Sequence, residues 1–209
     1  TKKKYIIPLS LLEKNKKTMQ LLFENGLIFE NKIFDYLKQN FKCEQVGYER
    51  NDVTIENHQK TVMHMTKGVP IIIQAVLYDE ELKMRGMADL LVRSDYLNRI
   101  IDFPPINHDD EKIKSCFGDY HYRVIDIKWT TLKLCSDGVL IRNEGKFPAY
   151  KGQLAIYNEI LGRAQKYLPP KTYILGRAMT YESNGTKYSD KSALACLGHI
   201  DYATFDANY

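Results

Sequence analysis

Residues 122–129 form a short, mostly apolar run rich in β-branched side chains between loop-like stretches. This pattern predicts a buried β-strand. Because successive side chains of a strand point to opposite faces, Asp126 and Lys128 share one face, while Ile125 and Ile127 share the other. Burying a charge is costly unless it is paired or binds a metal. The pattern therefore indicates either an ordinary ion pair at a strand end or a functional acid beside a functional lysine.

The remaining hydrophobic periodicity predicts an α/β chain in which helices and strands alternate. Two strands over 71–78 and 85–93, separated by the polar turn 79–83, are expected to form a hairpin. Gly26 is expected to mark either a helix break or close packing. The other predicted elements are helices over 10–24, 27–41, 54–67 and 148–167, strands over 43–49, 122–129, 171–177 and 194–200, and insertions over 97–120 and 131–148.

One carboxylate lies on the apolar face of the second predicted helix. Ile33, Phe34, Leu37 and Phe41 follow Glu30 at helical spacing, so the acid shares their face. A carboxylate there is expensive to bury. Glu30 is therefore either an acid at the edge of the stripe that reaches solvent, or a ligand for a cation inside the fold.

Two further polar residues interrupt apolar patterns. Asp89 shares a strand face with Met87 and Leu91. Gln153 points from the middle of the apolar face of the last predicted helix, and Tyr157 is its neighbour one turn later. Packing alone does not explain a glutamine at that position, so both residues are candidates for a functional site.

Composition limits the class of protein. The chain has 209 residues, of which 44% are hydrophobic, which is enough for one sizeable domain with a real core. Its four cysteines show no CxxC spacing, which argues against a zinc ribbon and against a disulfide framework. Free thiols in a reducing compartment are expected instead.

Charge and the ends of the chain add further expectations. The net charge of +4 is mildly basic and is compatible with nucleic-acid binding without proving it. No stretch approaches the length of a membrane span, and the start is too polar for a signal peptide, so an intracellular location, cytoplasmic or nuclear, and no membrane partner are expected. Because the chain opens at Thr1 rather than at a methionine, we expect it to be a piece of a longer protein with further domains.

Three out-of-pattern acids and one lysine suggest a specific chemistry. Carboxylate oxygens, such as those of Glu30, Asp89 and Asp126, are the ligands that Mg²⁺ and Mn²⁺ prefer. A protonated lysine such as Lys128 cannot be a ligand, but it can orient a water and stabilise negative charge on a phosphoryl oxygen. This combination suits metal-assisted hydrolysis of a phosphodiester.

The same residues resemble a known group. Gly86-xx-Asp89, Asp126-x-Lys128 and Gln153-xxx-Tyr157 resemble motifs of the PD-(D/E)XK nuclease superfamily, most closely those of RecB-like nucleases with a Q-xxx-Y helix. The stretch 26–30 is similar to their first-helix motif, and the resemblance covers residues 26–177. It implies a central mixed β-sheet flanked by helices, in the order αβββαβ of the restriction-endonuclease-like core. It also implies a Mg²⁺- or Mn²⁺-dependent deoxyribonuclease with a role in DNA repair or recombination.

The resemblance also assigns roles to residues. It implies that Asp89 and Asp126 bind the metal, that the Ile127 carbonyl assists them, and that Glu30 completes the ligand set. Lys128 would position or polarise the attacking water. Gln153 and Tyr157 would shape the site or touch the DNA backbone. Relatives that hold an iron–sulphur cluster do so with closely spaced cysteines near the C-terminus, which this chain lacks, so no cluster is expected.

The sequence leaves several alternatives open. A nucleic-acid-binding module of the same fold that does not cut, and a nuclease that acts on RNA, remain rivals to the deoxyribonuclease. Exonuclease and endonuclease activity are equally compatible with these residues, as are single-stranded and double-stranded DNA. Exposed lysines are expected to contact phosphates and to make DNA binding salt-dependent; the candidates are Lys2, Lys3, Lys4, Lys14, Lys16, Lys17 and Lys151.

Overall fold

The computed structural model describes residues 9–102 and 105–206, with side chains from residue 16 onward. Within them, a seven-stranded mixed sheet is flanked by helices, which confirms the predicted fold class. Lys2, Lys3, Lys4 and the side chain of Lys14 lie outside the described part. The helices are α1 (Leu9–Asn40), α2 (Ile55–Thr66), α3 (Ser94–Ile100), α4 (His108–Glu111) and α5 (Phe147–Gln165), and the strands are β1 (Cys43–Gln45), β2 (Ile71–Asp79), β3 (Met84–Arg93), β4 (Tyr122–Lys133), β5 (Lys171–Ser183), β6 (Thr186–Asp190) and β7 (Leu197–Asp201).

The sheet has the order β1-β2-β3-β4-β5-β6, and β7 pairs with β5 as well. Strands β2, β3 and β4 form an antiparallel meander, whereas β4 and β5 run parallel. Helix α5 makes the crossover between β4 and β5, as a parallel pair requires. The carboxyl half of β4 therefore lies in the middle of the sheet, beneath α5 and beside α1.

Alternation along β4 separates two hydrophobic cores, one on each face of the sheet. Val124 packs with α5 residues such as Leu154 in one core. Ile125 and Ile127 pack with Leu37 of α1 in the other. The predicted division of this strand into two faces is therefore confirmed, and it directs Asp126 to the α5 side.

The N-terminal helical pattern forms one helix rather than two. Helix α1 continues through Gly26, where an added Cβ would meet only the Cβ of Trp129, at 4.0 Å. The expectation of a break or close packing at Gly26 is wrong, because a helical glycine costs only about 1 kcal/mol, which the packing of the C-terminal half offsets. Met19 and Phe23, in the N-terminal half, are exposed.

The C-terminal sheet is larger than the sequence predicted. Strand β4 extends to Lys133, into the predicted insertion over 131–148, and β5 extends well past residue 177 to form a hairpin with β6. The hairpin turn contains Asn184 and Gly185, both with positive φ, which is a strong hairpin signal in the sequence. The first strand, by contrast, ends at Gln45 rather than at residue 49.

The other predicted elements agree with the structure to within a few residues. Helix α2 is capped by Thr54, whose side chain accepts a hydrogen bond from the Asn57 N–H at 3.3 Å. Helix α5 has Pro148 in its first turn, where the missing N–H costs nothing. The predicted insertion over 97–120 starts earlier and contributes α3 and α4.

Candidate active site

The site begins where β3 and β4 separate. Their regular pairing includes Leu90 with Ile125 and stops there, so Asp89 and Asp126 come next on the two diverging strands. Asp89 Oδ2 accepts a hydrogen bond of 2.6 Å from the N–H of Ile127, which takes the place of a strand-to-strand bond. The separation therefore fixes two carboxylates side by side at one point of the sheet.

Asp126 and Lys128 are adjacent on the same face of β4, as their spacing predicted. The Lys128 ammonium lies 2.6 Å from Asp126 Oδ2, and the exposed fractions of the two side chains are 23% and 1%. Among the described residues, Lys128 is the one cation that forms an ion pair with Asp126. A buried carboxylate oxygen thus depends on a single cation.

Lys128 also lies against an aromatic ring. Its ammonium is 5.3 Å from the centroid of Tyr150, and that of Lys146 is 5.5 Å from the same ring. Both distances fall within the range of a cation–π contact. Tyr150 therefore holds the lysine near the acids, which sequence reasoning did not identify.

Gln74 connects the third acid to the site. Its amide nitrogen donates to Glu30 Oε1 at 2.5 Å and lies 3.4 Å from Asp89 Oδ1. Its backbone has φ of 48°, an uncommon value for a residue within a strand. Sequence reasoning did not assign Gln74 a role, although a glutamine inside the apolar run of β2 is out of pattern in the same way as Asp89.

The acids resist ionising together. Burial raises the pKa of Asp89 well above its ordinary value, and the carboxylates of Asp126 and Glu30 raise it further. Burial also raises the pKa of Glu30, although the Lys128 ammonium opposes the shift. Burial alone would lower the pKa of Lys128, but the Asp126 and Asp89 carboxylates outweigh it and raise that pKa, which keeps the lysine protonated.

These groups fit a divalent cation in their chemistry. The donors are carboxylate oxygens, and their mutual repulsion is the kind that a bound Mg²⁺ or Mn²⁺ relieves. Within the ranges that the structure describes, however, no three Asp, Glu, His or Cys side chains are arranged as a ready metal site. Asp89 and Asp126 are the residues that would hold the ion, while Glu30 is turned to the Gln74 amide.

Helix α5 packs over the site on one face of the sheet. Tyr157 packs on Gly86, where an added Cβ would lie 2.2 Å from Tyr157 Cε1. The amide of Gln153 donates to the Tyr157 hydroxyl at 2.8 Å. Burial raises the pKa of Tyr157; the Gln153 bond opposes the shift, and the Asp126 and Asp89 carboxylates add to it. The predicted glutamine–tyrosine pair therefore packs on β3 three residues before the predicted acid Asp89.

A cleft opens beside this helix. Its volume is about 660 Å³, and Gly86, Met87, Gln153 and Tyr157 contribute to its lining. Arg50 and Arg85 line it as well, and both are exposed. Neither arginine forms an ion pair with any residue that the structure describes, so the cleft is positively charged.

Lys151 does not belong to this surface. It is fully buried, and its ammonium donates to the Ile141 carbonyl and to Asp206 Oδ1, each at 2.6 Å. The expectation that Lys151 contacts DNA is wrong, because the residue lies inside the protein and pairs with the C-terminal segment. Lys16 and Lys17 are exposed on α1, as expected of surface lysines.

Comparison of the chain with protein-family models, with curated proteins and with solved structures finds no match. Across the described ranges, none of the helices is long and apolar enough to cross a membrane. A functional assignment therefore depends on the site itself.

Proposed function

We propose that the protein is a Mg²⁺- or Mn²⁺-dependent nuclease that hydrolyses DNA phosphodiester bonds, and that its resemblance to RecB-like nucleases reflects a shared mechanism. The observation that carries the proposal is the pair of carboxylates, Asp89 and Asp126, held between separating strands beside a protonated Lys128. Burial and the neighbouring Asp126 carboxylate raise the pKa of Asp89, so an ionised Asp89 is costly to the fold, and cation binding is the simplest use for it.

Each residue has a distinct role in this proposal. Asp89 and Asp126 would hold the ion, assisted by the Ile127 carbonyl. Glu30, which accepts a hydrogen bond from Gln74, would complete the ligand set. The bound ion supplies charge neutralisation of the phosphodiester and activation of water.

Lys128 acts on the substrate rather than on the ion. In this structure its ammonium forms an ion pair with Asp126. A cation held by Asp126 would share that carboxylate's charge, and the Lys128 ammonium would then be able to stabilise a phosphoryl oxygen, whose negative charge grows in the transition state. Tyr150 keeps the lysine within reach of that position.

The cleft beside α5 suits the DNA backbone. Arg50 and Arg85 are exposed cations without carboxylate partners among the described residues, so they are available to phosphates. Gln153 and Tyr157 form the wall between these arginines and the acids. Phosphate contacts of this kind do not read the sugar, so RNA is a substrate to be tested alongside DNA.

A binding module that does not cut is the second candidate. It is favoured by the hydrogen bonds from Gln74 to Glu30 and toward Asp89, which occupy two of the acids without a metal. A protein of this kind would bind nucleic acid through the basic cleft and would not need a divalent ion.

Calorimetric titration of Mn²⁺, combined with cleavage of labelled DNA, separates the two candidates. The parent is expected to bind Mn²⁺ and to cut, with activity abolished by EDTA, whereas Asp126→Asn loses most of both. Asp35→Asn is the matched control, since Asp35 is an exposed acid of α1. Equal Mn²⁺ binding by parent and Asp126→Asn, with no cleavage by either, would support the binding module.

A further inference from the structure

A second groove lies on the other face of the sheet from the cleft of Arg50 and Tyr157. Its volume is about 520 Å³, and Phe29, Trp129, Arg177 and Lys191 contribute to its lining. Trp129 is 36% exposed, a large fraction for the one tryptophan of the chain. The groove therefore combines aromatic surface with two cations.

A β-bulge lies beside this groove. Lys128 pairs with Gly176 and Thr131 pairs with Ala178, so two residues of β4 stand opposite the single residue Arg177 of β5. Trp129 is one of the two bulged residues. It keeps the face that Ile125 and Ile127 share, and it contacts Phe29 of α1 there.

Trp129 contacts one cation and one aromatic ring. The Arg177 guanidinium lies 4.7 Å from the centroid of the indole, and the buried Phe29 ring supports the same indole at 5.4 Å between centroids. Planar guanidinium groups and indole rings both present surfaces on which a nucleobase stacks. Phe29 fixes the position of the indole, and the exposed Arg177 extends these contacts into the groove.

The cations of the groove are available for a ligand. Arg177 and Lys191 are both exposed, and neither forms an ion pair within the described part of the chain. Arg177 therefore contacts an aromatic ring without a carboxylate to neutralise it. Stacking surface and free positive charge together are the features that proteins use to bind a single strand.

Two residues of the groove are sequence neighbours of proposed active-site residues. Phe29 directly precedes Glu30, and Trp129 directly follows Lys128. Because neighbouring residues of a strand point to opposite faces, Trp129 and Lys128 lie on opposite faces of β4.

We propose that Trp129 and Arg177 form a stacking site for an unpaired base, so that the substrate reaches the acids as single-stranded DNA. This inference rests on the proposed nuclease function for its substrate and adds the strand state that the acids alone do not define. Paired bases in a duplex keep their faces covered and cannot use the site.

Fluorescence of the native protein tests the site directly, because Trp129 is its only tryptophan. The titrants, in EDTA so that no cleavage occurs, are a short oligothymidylate, an abasic oligomer of equal length and a blunt DNA hairpin. The oligothymidylate is expected to quench the fluorescence strongly, whereas the abasic oligomer and the hairpin leave it nearly unchanged. Equal quenching by all three, or no quenching by any, would overturn the stacking site.

Two variants and one control measure how much the stacking site contributes to the affinity for single-stranded DNA. Arg177→Lys keeps the charge but removes the planar group, and Trp129→Leu removes the indole; each is expected to weaken binding of a dye-labelled oligothymidylate roughly tenfold. Arg99→Lys is the control, since Arg99 stacks on Tyr96 at 4.6 Å and does not line the groove. Unchanged affinity in both groove variants contradicts the proposal.

The outcome is separable from that of the nuclease proposal. Base-dependent quenching without any Mn²⁺-dependent cleavage supports the stacking site and removes the nuclease. Cleavage without base-dependent quenching supports the nuclease and removes the stacking site.

Discussion

Asp89 Oδ2 accepts a 2.6 Å hydrogen bond from the Ile127 N–H at the point where β3 and β4 stop pairing. A side chain here replaces a backbone partner, so the strands separate without leaving that N–H unsatisfied. The consequence is that Asp89 is fixed next to Asp126 whether or not a cation is present.

In the metal-free protein, an ionised Asp89 at this position destabilises the fold. Burial raises its pKa well above the ordinary value, so the carboxyl destabilises the fold as pH rises from its unfolded pKa, about 4, through its folded pKa. Asp89→Asn removes the charge and keeps an oxygen for the Ile127 N–H. We expect the variant to be more stable than the parent in EDTA at neutral pH by about 1 kcal/mol.

Thermal melts with and without metal check this expectation. The difference in stability between Asp89→Asn and the parent should shrink as the pH is lowered below the folded pKa of Asp89. Saturating Mn²⁺ should narrow or reverse this difference, because the ion stabilises only the intact site. A variant that melts clearly below the parent in EDTA would mean that the Ile127 and Gln74 donors stabilise the charged form more than burial destabilises it.

Gly86 is required by the close approach of Tyr157. Gly86→Ala places a Cβ 2.2 Å from Tyr157 Cε1, so the ring must move, and we expect a loss of about 1–3 kcal/mol in the free energy of unfolding. Gly152→Ala on α5 is the control: nothing lies within 4 Å of its added Cβ, and a gain of about 0.5–1 kcal/mol is expected.

Urea unfolding measures both substitutions. If the Tyr157 ring is the cause, Gly86→Ala should cost less in a Tyr157→Ala background than in the parent. An equal cost in the two backgrounds would assign the effect to the backbone of β3 instead.

Lys151 should affect stability rather than DNA binding. Breaking its fully buried pair with Asp206 leaves a charge without its partner, so Lys151→Ala is expected to cost about 3–5 kcal/mol. Lys171→Ala is the control, because Lys171 makes a long, partly exposed pair with Asp201 and should cost less than about 1 kcal/mol. If Lys151→Ala and Lys171→Ala lose equally small amounts of unfolding free energy in urea, the buried pair does not stabilise the fold.

The basic cleft predicts a salt-dependent affinity for DNA. Removing one phosphate contact reduces the slope of log affinity against log salt concentration by about 1. Arg50→Ala and Arg85→Ala are therefore each expected to reduce the slope by about 1. Arg163→Ala is the control, since that guanidinium is already paired with Asp79 and Glu81. Anisotropy titrations over a range of salt give the slopes, and a slope near zero in the parent would point to a partner other than nucleic acid.

The site could be anticipated from the sequence where it depends on local periodicity. Asp126, Lys128 and Asp89 follow from strand alternation, and Gln153 with Tyr157 follows from helical spacing, because each is an exception to a pattern of its own element. The bulge at Trp129 depends on the register between two strands. The partner of Lys151 lies 55 residues away, and local patterns do not encode such contacts.

The role of Gln74 could not be predicted from local patterns. Its position inside an apolar strand was visible, but its contact with Glu30 spans 44 residues and depends on a left-handed backbone conformation. The β5–β6 hairpin, in contrast, has a local signal in the sequence, the pair Asn184 and Gly185.

The most direct test of the account is the rate of Mn²⁺-dependent cleavage of end-labelled DNA by Lys128→Ala. At saturating Mn²⁺ the rate should fall by roughly 10²–10³, because the ammonium acts on the transition state, while Mn²⁺ affinity stays equal to that of the parent or increases. Lys146→Ala, which removes the other lysine against Tyr150, should retain the parent rate. A Lys128→Ala protein that is folded and cuts as fast as the parent would reduce the Asp126–Lys128 contact to an ordinary ion pair.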